Sequence, residues 1–499
     1  MALAQYSELY WTPSGTVAAN VPARVFNYST NTFAVLWADA GGTVPLANPL
    51  NTTTAGRLTF YAEEGRYWVH IDSESFEIAV GAAAQAATQE DITTAVAAHS
   101  AAVDPHGDRA YADVVAADEA AAWRRRDMPD PALADTLYTG TTPTTSTTQS
   151  ATPTISGAIT YAPATGPFLY LGADDFEFGA TFPDTNYYLP TSRYPNTYSS
   201  GQSNWTVEFW TDAAEFEVGF KYISAATMYR LSIDGRPVTD LMQSSGGITA
   251  GSSHMLLVDL GSTGPRRIRI DFTTMPFRGV YLPPSATMWQ PTGIGGRLAV
   301  LGDSLTDGSS QNTGFGQGTW LQRTGRLLGC TDVWDQARGG TGYITSGSFA
   351  TFGDRVASDI VAYAPDRVIV WGGFNDSGGS QAAIGTAADA VYAAIDAGLP
   401  DTQVYVIGCW SPSGSPGSGI TNTDATLRTA AASAGLPFIS PVTGSIYDAS
   451  GTLVATHGPW ITAQNASTYI GGDNTHPTDA GHIYLSRRIY GALLALMPG

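Results

Sequence analysis

The spacing of apolar residues changes several times along the chain, and the changes mark out its parts. From residue 1 to about 81 the apolar positions come in short β-rich runs. Val25-Phe26-Asn27-Tyr28 and Phe33-Ala34-Val35-Leu36-Trp37 are separated by the polar turn Ser29 to Asn31. Arg57-Leu58-Thr59-Phe60-Tyr61 and Tyr67-Trp68-Val69-His70-Ile71 flank Glu63-Glu64-Gly65, a spacing that predicts a hairpin in a small β module. Residues 82–135 are Ala-rich and poor in strand formers. There Ile92, Val96, His99 and Val103 recur at helical spacing, and Ala110, Val114, Ala117 and Ala121 resume it after the break at Asp104-Pro105-His106-Gly107. The pattern predicts a helical segment with a short coiled-coil-like seam, read either as an amphipathic hairpin on its own domain or as a trimerisation element.

Residues 136–154 are a Thr/Pro/Ser run with no apolar period, expected as a linker or an extended surface strand. From 155 to 292 alternation returns. Trp205-Thr206-Val207-Glu208-Phe209-Trp210, Phe216 to Phe220, Tyr229 to Ile233 and Arg267-Ile268-Arg269-Ile270-Asp271-Phe272 each have period two, with turn signals such as Asp234-Gly235 between them. Several such strands predict a β-sandwich of jelly-roll type with most of its aromatic residues in the core. Across 293–499 the pattern changes to continuous apolar runs, Leu298 to Leu301, Val368 to Trp371 and Val404 to Ile407, with helical stretches near 317–328, 354–363, 381–397 and 422–434. Buried parallel strands alternating with helices predict an α/β domain whose ligand lies beyond the C-terminal strand ends.

Composition narrows the partners. The chain has 499 residues and a net charge of −20, which argues against a nucleic-acid partner and against adhesion to anionic membranes. Lys221 is its only lysine, a usage that fits GC-rich coding. No run approaches the ~18 apolar residues of a membrane span. Met1 to Tyr6 has neither a basic nor an apolar signal region, so no secretory signal is expected. Cys330 and Cys409 are expected as buried free thiols, and no Cys/His cluster has zinc-ligand spacing, so neither metal nor cofactor is expected.

The chemistry sits at strand ends. Gly302-Asp303-Ser304-Leu305 directly follows the first α/β strand and exposes a serine at the sheet's upper edge. Serine needs a base to become a useful nucleophile. Asp473-Asn474-Thr475-His476-Pro477 supplies an imidazole and, three residues earlier, a carboxylate able to orient it. Gly339-Gly340 follows Asp332-Val333-Trp334, where a glycine lets a backbone N–H approach a developing oxyanion. Gly373-Phe374-Asn375-Asp376 follows the third strand and offers the Asn375 amide as a further donor. Asp376 is read as shaping its loop, and His482, His70, His99, His106, His254 and His457 are read as structural.

These four blocks, in this order over Arg297 to Leu496, resemble the SGNH (GDSL) hydrolase superfamily. The resemblance implies a three-layer, flavodoxin-like domain and a serine esterase with Ser304 as nucleophile, His476 as base and Asp473 as orienter. It also implies an oxyanion hole from the Ser304 N–H, the Gly340 N–H and Asn375 Nδ2. The second block departs from the common Asn-bearing version, so Gly339 stands as the alternative to Gly340.

The N-terminal part resembles minor tail proteins of actinobacterial phages, in Pro49-Leu50-Asn51-Thr52, Gly56 to Ala62, Gly65-Arg66-Tyr67 and the phrase from His99 to Asp113. That resemblance implies a homotrimer among other tail proteins, located in the virion. Together the readings give an esterase acting on an O-acyl, chiefly O-acetyl, group of a host cell-surface glycan, or on a lipid ester. A non-catalytic receptor-binding adhesin and a secreted bacterial lipase or esterase are the alternatives. The intact Ser304, Asn375, Asp473 and His476 set favours an enzyme.

Overall fold

The computed structural model describes residues 3–10, 19–30, 32–71, 74–80, 136–173, 176–178, 186–190, 204–291 and 295–497. The helical and trimerisation segment expected at 82–135 lies outside the described residues. The chain divides into two compact units between Ala117 and Asp118.

In the first unit, two four-stranded sheets face each other across one core. One contains Ala4–Leu9, Arg57–Ala62, Leu36–Trp37 and Pro45–Leu46; the other contains Leu50–Asn51, Pro22–Asn27, Gly65–Ile71 and Glu74–Val80. The hairpin expected between Arg57–Tyr61 and Tyr67–Ile71 does not form. Arg57–Ala62 pairs with Ala4–Leu9, whereas Gly65–Ile71 pairs with Pro22–Asn27 and Glu74–Val80. Leu58, Phe60 and Ala62 on one run and Tyr67, Val69 and Ile71 on the other are all buried. Opposing sheets bring both apolar faces into the same core.

The second unit joins a β-sandwich to an α/β domain. The sandwich has two antiparallel seven-stranded sheets. Thr144–Thr148 is a strand of the first, paired with Met255–Asp259. The sandwich therefore begins inside the 136–154 run read above as linker or surface strand. β-branched threonines suit a sheet edge although they have no apolar face to bury.

In the second sheet, Arg266–Thr273 alternates as the sequence indicates. Ile268, Ile270 and Phe272 enter the core between the sheets. Arg269 and Asp271 lie on the other face, where the α/β domain covers them. Asp271 accepts Arg230 Nη2 at 2.8 Å and Arg269 Nε at 2.9 Å, and Arg269 Nη1 bonds Glu208 at 3.1 Å. Arg269 Nη1 also donates to Thr331 O at 2.8 Å, Arg230 Nη2 to Gln317 O at 3.2 Å, and Asn204 Nδ2 to Asp335 Oδ2 at 3.0 Å. The face is polar yet buried, and its charges are satisfied across the seam. Burial pushes the Asp271 carboxyl up, but Arg269 and Arg230 outweigh it and hold it well below the usual carboxylate range.

The α/β domain has one seven-stranded sheet. Its strands are β1 (Arg297–Gly302), β2 (Asp332–Ala337), β3 (Arg367–Trp371), β4 (Gln403–Ile407), β5 (Phe438–Ile439), β6 (Ser445–Tyr447) and β7 (Leu453–Thr456), in spatial order 2-1-3-4-5-6-7. The first five are parallel, β6 is antiparallel to β5, and β7 is antiparallel to β6. The order reverses at β1 and β3, which makes the crevice beyond their C-terminal ends the natural ligand site. Apolar clusters fill both sides of the sheet. Leu298, Val300, Ile369 and Ile407 serve one, and Ala299, Leu301, Val368, Val370 and Val406 the other. This is why the strands read as continuous apolar runs. Among the described residues, no helix is long and apolar enough to cross a membrane.

Replacing Asp271 with Ala leaves Arg230 and Arg269 buried with one carboxylate fewer. We expect it to destabilise the second unit by about 3–5 kcal/mol, read by chemical denaturation. A loss under ~1 kcal/mol would show that the seam does not depend on this carboxylate.

Candidate active site

The site is assembled at the C-terminal ends of β1, β2 and β3. β1 stops at Gly302, and Asp303 caps the short helix α1 (Ser304–Asp307) by accepting the Leu305 N–H at 2.9 Å. Helix initiation so soon after a buried strand forces a sharp turn, which carries Ser304 to the sheet edge. The Ser304 N–H is one of the donors that a helix start leaves open, and it has no partner among the described residues.

After β2, Gly339 and Gly340 behave differently. The Gly339 N–H donates to Asp307 Oδ2 at 2.9 Å. The Gly340 N–H has no partner among the described residues, and φ of +76° there is a conformation that favours glycine. After β3, Gly373 has φ of +102°, and a Cβ would stand 2.9 Å from Leu427 Cδ1. That turn delivers Asn375, whose Nδ2 donates to Thr341 O at 2.9 Å and lies 3.4 Å from Asp303 Oδ2. Asp376 accepts the Tyr343, Ile344 and Thr345 N–H groups at 2.8, 3.1 and 2.9 Å, so it holds the loop after Gly340 in shape.

The last block comes from far along the chain. Asp473 Oδ1 accepts the Thr475 and His476 N–H groups, each at 2.9 Å, and Asp473 Oδ2 meets His476 Nδ1 at 2.6 Å. The intervening Asn474 has φ of +59°, which asparagine tolerates better than most residues. His476 Nε2 stands 2.8 Å from Ser304 Oγ. A proton on Nδ1, held by Asp473, leaves the Nε2 lone pair for the serine hydroxyl. Burial alone would raise the Asp473 pKa, but the His476 backbone N–H and ring and the Thr475 N–H outweigh it and hold the carboxyl below its ordinary value.

The loop is pinned from several sides. Trp410 Nε1 donates to Thr475 O at 2.9 Å, Gly472 N–H to Gln311 Oε1 at 2.8 Å, and Gly471 N–H to His476 O at 2.8 Å. Thr478 then caps the final helix Asp479–Leu496 through the Gly481 N–H, and Asp479 in turn accepts Thr313 N–H at 2.7 Å.

Thus Ser304, His476 and Asp473 form one hydrogen-bonded chain, with the Gly340 and Asn375 loops held beside the turn of Ser304. Sequence reasoning gave Asp303 no role of its own, yet it is fully buried and reaches the Asn375 amide. Burial, opposed by the Leu305 N–H and reinforced by the negative charge of Asp376, pushes its carboxyl up to about 7. Its position just before a helix start is an N-cap signal that the sequence did contain. His482 is buried, takes the Trp320 N–H on Nδ1 at 3.3 Å, and is driven down to about 3, first by burial and then by the charge of His476. Among the described residues no group of His, Cys, Asp and Glu is placed to hold a metal ion.

The model of the GDSL-like Lipase/Acylhydrolase family matches residues 300–483. A GDSL lipase of Mycobacterium tuberculosis is 28% identical over 200 residues, covering 38% of this chain and 79% of that protein. Among solved structures, a family two carbohydrate esterase from Clostridium thermocellum in complex with cellohexaose aligns at 16% identity and a TM-score of 0.47, covering 65% of this chain and 98% of that one. A salicylyl-acyltransferase from a tetracycline biosynthetic pathway aligns at 14% identity and a TM-score of 0.48, covering 67% and 97%.

His482 gives a pH signature. Its folded pKa lies below the unfolded value, so its contribution is fully present above about 6.5 and is lost as pH falls toward about 3. Asp303, shifted upward, has the opposite sign and stabilises more as pH falls. Comparing wild type with His482→Asn cancels the shared groups. The unfolding free energy of wild type relative to the variant is expected to fall below pH 6.5 with a slope approaching about 1.4 kcal/mol per pH unit. Parallel curves from pH 7 to 5 would remove the buried neutral histidine from the account.

Proposed function

The C-terminal region carries a GDSL/SGNH hydrolase domain and the chain is an esterase; from that premise we propose that Ser304 is its nucleophile, His476 its general base and Asp473 the residue that orients the base. The observation that carries this reading is the continuous chain Asp473 Oδ2, His476 Nδ1, His476 Nε2, Ser304 Oγ, with contacts of 2.6 and 2.8 Å. Ser304 Oγ attacks the ester carbonyl while its proton passes to His476 Nε2. The same proton then goes to the departing alkoxide, leaving an acyl group on Ser304. A water molecule, deprotonated by His476, releases the acid and restores the serine.

The carbonyl oxygen gains negative charge in both addition steps. We assign its stabilisation to the Ser304 N–H, the Gly340 N–H and Asn375 Nδ2. The Gly339 alternative is disfavoured because its N–H is committed to Asp307. Asn375 Nδ2 has two hydrogens; its bond to Thr341 O at 2.9 Å fixes the amide, and the longer contact to Asp303 Oδ2 at 3.4 Å is the one an oxyanion would replace.

For the substrate we propose an O-acyl group, chiefly acetyl, on a host cell-surface glycan, with the chain borne on a phage tail as a homotrimer. A sandwich joined to the hydrolase domain through a polar seam supports a carbohydrate ester over a long-chain lipid. The N-terminal sequence resemblance supports the tail assignment.

Ser304→Ala is expected to lower turnover of p-nitrophenyl acetate by about 10³-fold or more with an unchanged circular dichroism spectrum. Undiminished turnover would overturn the nucleophile assignment. Because the base must be neutral, kcat/KM should fall on the acid side through a single ionisation; a flat profile from pH 5 to 8 would exclude a histidine base. Acetylated glycans compared with p-nitrophenyl esters of increasing chain length test the substrate, and a preference that grows with chain length would point to lipid.

Light scattering tests assembly. The full chain is expected to be a trimer and a chain beginning at Thr136 a monomer. A monomeric full-length chain would dismiss the trimer and leave the esterase untouched.

A further inference from the structure

The seam between the sandwich and the α/β domain is not closed along its whole length. It opens into a cavity of about 490 Å³ whose lining includes Arg236, Arg267, Arg269 and Arg326, with Glu208, Asp234 and Trp210. Four arginines against two carboxylates make this a cationic site on a chain of net charge −20.

Two of these arginines are already used, since Arg267 and Arg269 both bond Glu208. The other two are not. Arg326 Nε is buried with no hydrogen-bond partner, and among the described residues neither Arg326 nor Arg236 has an ion pair. A buried donor without an acceptor is costly, and a planar oxyanion group is the partner that the guanidinium fork of this half-buried side chain fits. The electrostatics agree. Burial depresses the pKa of Arg326 most, the nearby Arg230 and Arg323 depress it further, and Asp271 opposes them only in part. An anion beside Arg326 would relieve that strain.

The mouth carries an aromatic surface as well. Trp210 lines the cavity and stacks on Trp289 of the neighbouring strand, with centroids 6.0 Å apart and planes at 7°. Trp289 is 38% exposed, so the stacked pair presents an indole face to the surface. An indole face beside a guanidinium pair suits a sugar ring that bears a negative charge.

We propose that this cavity is a binding site for an anionic saccharide unit, one bearing a carboxylate or a phosphate, with Arg326 and Arg236 on the anion and Trp210 against the ring. The site is separate from the ester chemistry. Its α/β wall, Gly329 to Thr331, precedes β2 and so lies at the N-terminal end of the parallel sheet, whereas Ser304 lies at the C-terminal end. A six-residue strand separates the two by roughly 20 Å. The cavity would hold one unit of a charged glycan while another region of the polymer is presented to Ser304.

The test is calorimetric titration of the full chain with glucuronic acid, glucose 6-phosphate, glucose and inorganic phosphate, at low salt and at 0.5 M salt. Glucuronic acid or glucose 6-phosphate is expected to bind measurably, glucose not, and binding should weaken at high salt. Which of the two binds identifies the anion as carboxylate or phosphate. Arg326→Gln and Arg236→Gln should each weaken that binding by about tenfold or more. Arg236 is half-buried at the start of a two-residue strand just after the Asp234-Gly235 turn, so its replacement leaves the fold intact if the Arg326 change does not, with thermal unfolding as the check. Binding by neither charged sugar, equal binding of glucose, binding of inorganic phosphate as tight as the sugars, or affinities unmoved by Arg236→Gln would each overturn the proposal. Because binding is read without turnover, these outcomes stand whatever Ser304→Ala does to ester hydrolysis.

Discussion

The candidate site depends on one hydrogen bond between atoms 172 residues apart, Ser304 Oγ and His476 Nε2, at 2.8 Å. Neither residue is held by that bond alone. Ser304 is placed by the abrupt change from β1 to α1, which Asp303 caps. His476 is placed by a loop whose backbone is tied to Trp410 and Gln311 and whose exit is fixed by the Thr478 cap. A contact so remote in sequence costs chain entropy to form. The sheet and the final helix, both packed with large apolar side chains, supply the framework on which that cost is offset. A serine-histidine pair displaced by even about 1 Å loses much of its effectiveness, which gives the many loop ties a physical purpose.

Charge is managed in opposite ways at the two polar centres. Around Ser304 the carboxylates have divergent environments. Asp473 is partly exposed, hydrogen-bonded three ways and easily ionised, whereas Asp303 is buried and resists ionisation near neutrality. In the mechanism we propose, the difference suits one group that stabilises an imidazolium and another that shapes a turn without adding full negative charge behind a developing oxyanion. In the seam, arginines crowd together and are largely neutralised by Glu208 and Asp271. The remainder, at Arg326 and Arg236, faces the cavity.

The sandwich is more than a neighbour of the α/β domain. Its second sheet turns apolar residues inward and a row of charged residues outward, and the outward row is buried by the domain beside it. Two domains joined by satisfied ionic and hydrogen-bonding groups are held in a specific orientation, because a shift by one residue would leave those groups unpaired. The same polar character leaves room for a cavity where an apolar interface would have closed.

Local pattern alone determined much of this. The continuous runs at β1, β3 and β4 and the helices between them were legible because a strand buried on both faces must be apolar throughout. The blocks at Ser304, Gly340 and Asn375 were legible because each follows the end of a buried strand, and Asp473 to His476 because a carboxylate and an imidazole stand three residues apart just before the final helix. Alternation located the sandwich strands, although it could not tell that Arg57–Ala62 and Gly65–Ile71 belong to opposite sheets, since period two specifies a face and not a partner. For the same reason the period of two in Arg266–Thr273 does not say what its alternating arginines face. Whether such a face meets water or another domain is decided by packing between segments far apart in sequence. So is the commitment of the Gly339 N–H, which is taken by a single carboxylate, Asp307, contributed by helix α1. Residue type and period are properties of neighbours along the chain; burial of a charge and commitment of a donor are properties of neighbours in space, and only the tertiary structure supplies those.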